Sequence, residues 1–121
     1  MKIYISGPMT GIPEHNYPAF NKAARELRKV GYEVVNPAEL DGETEIPWED
    51  CLRRDLHEIV GCLKSKNGCK GIATLSGWKD SKGATLEVFV AKELRLPVYP
   101  VEHFLEENVI FDYVLSDKEV V

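Results

Sequence analysis

The sequence predicts an α/β domain: a mainly parallel sheet of four to five strands with helices on both faces. Three observations predict it. Short apolar runs rich in β-branched residues (KIYIS, YEVVN, GIATL, LPVYPV) recur along the chain. Between them lie longer segments whose apolar residues return every three to four positions, the period of a helix face. Gly, Pro and Asn punctuate the joints, and the order β-α-β-α-β-α-β calls for parallel strands joined by right-handed crossovers.

Residues 2–6 (KIYIS) read as a strand ending at Gly7-Pro8, and GPMTGIPEHNY as a loop rich in turn formers. Asn16 is placed to cap a helix in which Pro18 is tolerated, because the first amides of a helix have no partner. Phe20, Ala23, Ala24, Leu27 and Val30 form its inner stripe, and Gly31 ends it. A second strand follows at 32–36, then a long loop at 37–47 closed by Pro47. Trp48, Leu52, Leu56, Ile59, Val60 and Leu63 mark the inner stripe of a second helix. KSKNGCK turns the chain into a third strand at 71–75. The loop 76–82 leads to a third helix whose inner face carries Ala84, Val88, Ala91, Leu94 and Arg95, and LPVYPV (96–101) gives a fourth strand. The remainder reads as a short helix and then an arm or edge strand bearing Val109, Phe111, Tyr113 and Leu115. Residues 1–101 are thus the α/β domain, and 102–121 a helix or arm packed on it or on a neighbouring subunit.

With 121 residues, 44% of them hydrophobic, the chain suits one folded domain. A net charge of −5 without a basic stripe excludes a nucleic-acid polymer as partner. The three cysteines form no C-x-x-C pair, no apolar leader opens the chain, and no apolar run approaches the roughly 20 residues of a membrane span. The expectation is a cytoplasmic protein with reduced thiols and no membrane contact. The three histidines share no ligand spacing, and neither GxGxxG nor a P-loop occurs, so no metal and no cofactor is expected.

Two carboxylates stand out. Glu87 lies three positions after Ala84 and one before Val88, on the inward face, with no basic residue three or four away. Asp55 lies between Leu52 and Ile59 on the second helix, while Glu49–Arg53 and Asp50–Arg54 have the spacing of helical ion pairs and leave it over. The plain alternatives are a surface glutamate complementing a helix start and an aspartate at the margin of a stripe. Ligands in such sheets bind beyond the carboxyl ends of the strands, where strand order reverses. If the first and third strands are neighbours, GPMTG and SGWKDSKG face each other there, and both carboxylates border one cleft as an acid/base or nucleophile pair. Tyr4 either packs in the sheet or delivers a hydroxyl to that cleft. Ser81 and the amides up to Ala84 either grip an anion or form an ordinary serine cap. Trp78 either stacks on a flat base or seals a core edge.

On YISGPMTG, RRDL and SKGATLE the chain resembles the nucleoside 2-deoxyribosyltransferase superfamily, which includes the 2′-deoxynucleoside 5′-monophosphate N-hydrolases. It looks most like the small proteins termed deoxyribosyltransferase-like, from Met1 to about Val101. The resemblance implies a Rossmann-like fold, a helix-borne nucleophile at Glu87, an acid/base at Asp55 and a strand-end tyrosine, Tyr4, that orients the nucleophile. Six positions before Glu87 stands Ser81, where the monophosphate hydrolases carry serine and the transferases aspartate; a hydroxyl suits a phosphate and a carboxylate repels it. The implied substrate contacts are Ser6, Gly7, Pro8, Met9, Thr10 and Gly11 on one loop, and Trp78, Ser81 and Gly83 on the other. Expected is cleavage or transfer at the N-glycosidic bond of a (deoxy)nucleoside or its 5′-monophosphate, the alternative being a non-catalytic nucleotide-binding or signalling module. A homo-oligomer, dimer or higher, is expected from the apolar arm carrying Val109, Ile110, Phe111, Tyr113 and Val114.

Overall fold

The computed structural model describes residues 1–42, 45–61 and 68–106. Four strands, β1 (Lys2–Ser6), β2 (Glu33–Val35), β3 (Gly71–Thr74) and β4 (Val98–Pro100), form one sheet in the order β2-β1-β3-β4, every pair parallel. The helices are α1 (Tyr17–Lys29), the single turn α2 (Pro37–Leu40), α3 (Trp48–Val60) and α4 (Lys82–Glu93), and residues 101–106 are also helical. The result is a Rossmann-like three-layer α/β sandwich. No helix among the described residues is long and apolar enough to cross a membrane.

Strand alternation divides the core. Ile3, Ile5, Val34 and Ala73 point to one face, where they meet Phe20, Ala23, Ala24 and Leu27 of α1 and Val101 and Phe104 of the last helical turn. Tyr4, Val35 and Ile72 point to the other, against Ile59 of α3 and Val88 and Ala91 of α4. In the registers Tyr4 faces Val35 on one side and Ile72 on the other, which places its neighbour-but-one Ser6 on the α4 side as well. Strand β1 is central, so β1 and β3 are adjacent and their following loops face each other at the point where strand order reverses.

Several local expectations are corrected. Asn16 adopts a left-handed conformation (φ 61°) and does not cap α1; its Nδ2 donates instead to the Pro8 carbonyl at 2.9 Å, tying the first loop to the helix start. The long loop after β2 contains α2, because Asn36 caps it by accepting from the Ala38 amide at 3.1 Å while Pro37 takes the first helical position. In α3 only Ile59 is fully buried, with Trp48 and Val60 exposed, because one flank of the helix borders an open cleft rather than the sheet. Leu94 is exposed, and Arg95 takes a left-handed turn (φ 59°), because α4 ends at Glu93 and the helical period ends with it. The fourth strand stops at Pro100, and Val101 opens the next helical turn. Leu63 and the arm from Val109 to Leu115 lie outside the described residues.

Candidate active site

The buried face of α4 carries Ala84, Glu87, Val88 and Ala91. Glu87 is 5% exposed, and both of its oxygens are used: the Tyr4 hydroxyl donates to Oε2 at 2.5 Å and the Ser6 hydroxyl to Oε1 at 2.7 Å. Alternation along β1 is what aims both hydroxyls at one helix. Both hydrogen bonds to this carboxylate therefore come from neutral donors. Burial pushes its pKa up to about 7; the Tyr4 and Ser6 hydrogen bonds oppose that shift, and the nearby Asp55 charge adds to it. Burial and the Glu87 charge likewise raise Tyr4 well above its ordinary range, so it stays a phenol and a donor.

Asp55 projects from α3 with its side chain 14% exposed. It has a cationic partner, contrary to the expectation from helical spacing: Arg54 Nε donates to its Oδ1 at 2.9 Å. Arg53 pairs with Asp50 three residues away rather than with Glu49, and Arg54 leaves Asp50 for Asp41, 2.8 Å away in the loop after α2. The i,i+4 template omits both a tertiary partner and a long guanidinium that folds back to the adjacent residue. Burial raises the Asp55 pKa, while Arg54 and, less, Tyr4 restrain it.

Both carboxylates open on a cleft of about 1380 Å³ beyond the carboxyl ends of β1 and β3. Gly7, Pro8, Met9 and Thr10 line it from one side, and Ser81 and Gly83 from the start of α4. Ser81 is a genuine cap: its Oγ accepts from the Ala84 amide at 3.2 Å. Three expected contacts lie elsewhere. Ser6 is wholly buried beneath the cleft, where its hydroxyl serves Glu87, and Gly11 stays outside the lining. Trp78 packs on the Tyr4–Ile72–Val88 cluster and seals a core edge, being held there by the short helical turn Trp78–Asp80. The tryptophan that lines the cleft is Trp48, at the start of α3, with Lys82 Nζ 4.7 Å from its ring centre. Tyr17 and Asp41 also line the cleft, the tyrosine donating to Asp41 Oδ2 at 2.5 Å. The sequence puts Trp48 on the inner stripe of α3, and only its place at the helix start, just after Pro47, sets it apart from the residues that face the sheet. Among the described residues no cluster of three or more His, Cys, Asp or Glu is arranged to hold a metal ion.

Close approach of the two loops depends on Gly7. A Cβ there would lie 2.7 Å from Leu75 Cβ and 2.9 Å from its Cδ1, and the Cβ cannot rotate away. The Leu75 amide also donates to the Ser6 carbonyl at 2.8 Å, so relief must separate β1 from β3. Gly7→Ala is expected to lower stability by about 1–3 kcal/mol in denaturant titrations. An unchanged midpoint would show that the strand ends yield freely.

The parallel α/β sheet thus brings two carboxylates to the point where its strand order reverses, one held by hydroxyls and one by a guanidinium. The chain belongs to the family described as a domain of unknown function, DUF4406, whose model matches residues 1–100. No curated protein matches the chain.

Proposed function

We propose that the chain cleaves or transfers at the N-glycosidic bond of a (deoxy)nucleoside or its 5′-monophosphate. One observation carries this reading: Glu87 is a buried carboxylate held by two hydroxyls at the floor of a cleft that Asp55 shares. Scission of a sugar–base bond develops positive charge at the anomeric carbon. A carboxylate oxygen roughly 3–3.5 Å from that carbon stabilises the charge and captures it. In this reading Glu87 bonds to the anomeric carbon as the C–N bond breaks, and the electron pair leaves with the base, which takes a proton from Asp55. Water or an acceptor base then attacks the glycosyl carbon, gives its proton to Asp55 and releases Glu87, as in retaining glycosidases. The resemblance to the deoxyribosyltransferase superfamily points the same way, with Ser81 and the first amides of α4 on the sugar's 5′ side.

The test is incubation of the purified protein with nucleosides, deoxynucleosides and their 5′-monophosphates, read by mass spectrometry. Free base is expected with the parent and none with Glu87→Ala, its fold checked by circular dichroism; ligand retained intact supports the binding-module reading instead. Because the reactive form needs charge on Glu87 and a proton on Asp55, kcat/KM is expected to be bell-shaped in pH, and its alkaline limb to disappear in Asp55→Ala. A profile flat from about pH 4 to pH 9 would exclude this pair of carboxyl groups.

A further inference from the structure

We infer that Arg54, braced by Asp41 and Tyr17, is a positioning residue that holds Asp55 by its Oδ1 and so fixes the direction of its carboxyl at the cleft. The inference rests on the acid/base role proposed for Asp55. Arg54 is forked: Nε donates to Asp55 Oδ1 at 2.9 Å, and a terminal nitrogen lies 2.8 Å from Asp41 Oδ1. The other oxygen of Asp41 accepts from the Tyr17 hydroxyl at 2.5 Å. Three elements distant in sequence, the first residue of α1, the loop after α2 and the middle of α3, are thus joined through one guanidinium. Arg54 and Asp41 are each less than a quarter exposed, at 23% and 22%, so solvent weakens these contacts far less than those of a surface pair.

The geometry has a chemical consequence. An acid/base carboxyl needs one oxygen free to exchange its proton and a fixed direction for doing so. A planar guanidinium supplies that direction, which an ammonium does not. Among the described residues, the charged and titratable groups that act on Asp55 include Arg54, Tyr4 and Asp41, with Glu87 and, along α3, Cys51 within electrostatic reach. Only Arg54 among them is a cation. Asp41 adds a negative charge but also restrains the guanidinium, so the brace fixes position at a small electrostatic cost to Asp55. The hydrogen bond from Tyr17 and burial raise its own pKa to about 12, which keeps it a donor to Asp41.

The experiment combines kinetics with carboxyl titration by ¹³C NMR on the full chain. In Arg54→Ala the Asp55 carboxyl is expected to titrate about one pH unit or more higher than in the parent. The kcat should fall about 10–100-fold with KM within about threefold, since an aligned general acid is worth more than that in total. Arg54→Lys keeps the charge without the fork; it should restore most of the titration but little of the kcat. Tyr17→Phe, which removes one hydroxyl from the brace, should lower kcat severalfold and decides the case if Arg54→Ala does not fold. The inference is overturned if Asp55 titrates as in the parent when Arg54 is removed, or if Arg54→Lys and Tyr17→Phe both retain full kcat. Should Asp55→Ala itself retain full kcat, the acid/base reading is what fails, and the titration alone still decides whether Arg54 holds Asp55.

Discussion

Glu87→Gln is expected to abolish base release and at the same time raise the melting temperature. The two effects have one origin. Glutamine keeps the shape of the side chain and can exchange hydrogen bonds with the Tyr4 and Ser6 hydroxyls, each of which donates or accepts. It cannot carry the negative charge that captures the anomeric carbon, so turnover should fall by roughly 10⁴-fold or more, beyond the loss typical of a general acid. Stability moves the other way because the fold disfavours the ionised form of Glu87. Its pKa rises from 4.5 to about 7 on folding. At pH 4 both folded and unfolded states are largely protonated, and the penalty is small. Between about 4.5 and 7 only the folded state keeps the proton, and stability is lost steadily as pH rises. Above 7 both states are ionised and the full cost, on the order of 3 kcal/mol, is present. Glutamine has no such dependence. The gap between variant and parent should therefore open from pH 5 to pH 8, reaching several °C at pH 8. Thermal melts at the two pH values measure it. A gap that stays constant or narrows with pH would mean that Glu87 is solvated, and a variant as active as the parent would remove it from the chemistry. Such an opposition is common where function requires a buried charge that packing alone would exclude.

That Glu87 turns inward is legible in the chain, because Ala84, Val88 and Ala91 fix the helix face and the glutamate shares it. What holds it is legible only in part. Tyr4 and Ser6 are 83 and 81 residues away, and nothing local announces them. Alternation in KIYIS does put them on a common face, and parallel α/β topology brings that face under the helix after β3. Asp55 is the reverse case. Its place beside the cleft follows from its stripe, but its partner does not, since Arg54 answers to Asp41 across a loop that no helical spacing rule covers. Trp78 and Trp48 exchange roles for a similar reason. A Gly-flanked loop residue looks available for stacking, yet the turn at Trp78–Asp80 folds it onto the core, while Trp48 on a helix end remains at the mouth. Periodicity reports which way a side chain faces within its own element, and the contacts that decide a site lie between elements.

Asp55→Ala is expected to slow base release by roughly 10²–10⁴-fold, the usual worth of a placed general acid or base. The size of the loss should depend on the leaving group. An ordinary purine or pyrimidine departs as an anion unless it is protonated, so it needs the proton that Asp55 supplies. A 7-methylated purine carries a positive charge before the bond breaks and departs neutral, so its release in the first turnover should be nearly as fast in the variant as in the parent, while later turnovers, which need Asp55 as a base, stay slow. Comparing the two substrate types separates proton donation from placement, because a residue that merely positions the sugar would cost both equally. Folding should survive, because Arg54 retains Asp41 as a partner and the desolvated carboxyl is gone with its cost. Equal losses on both substrates would reassign Asp55 to substrate positioning. No loss on either would leave Glu87 without an acid, and the leaving base would then have to take its proton from water in the open cleft.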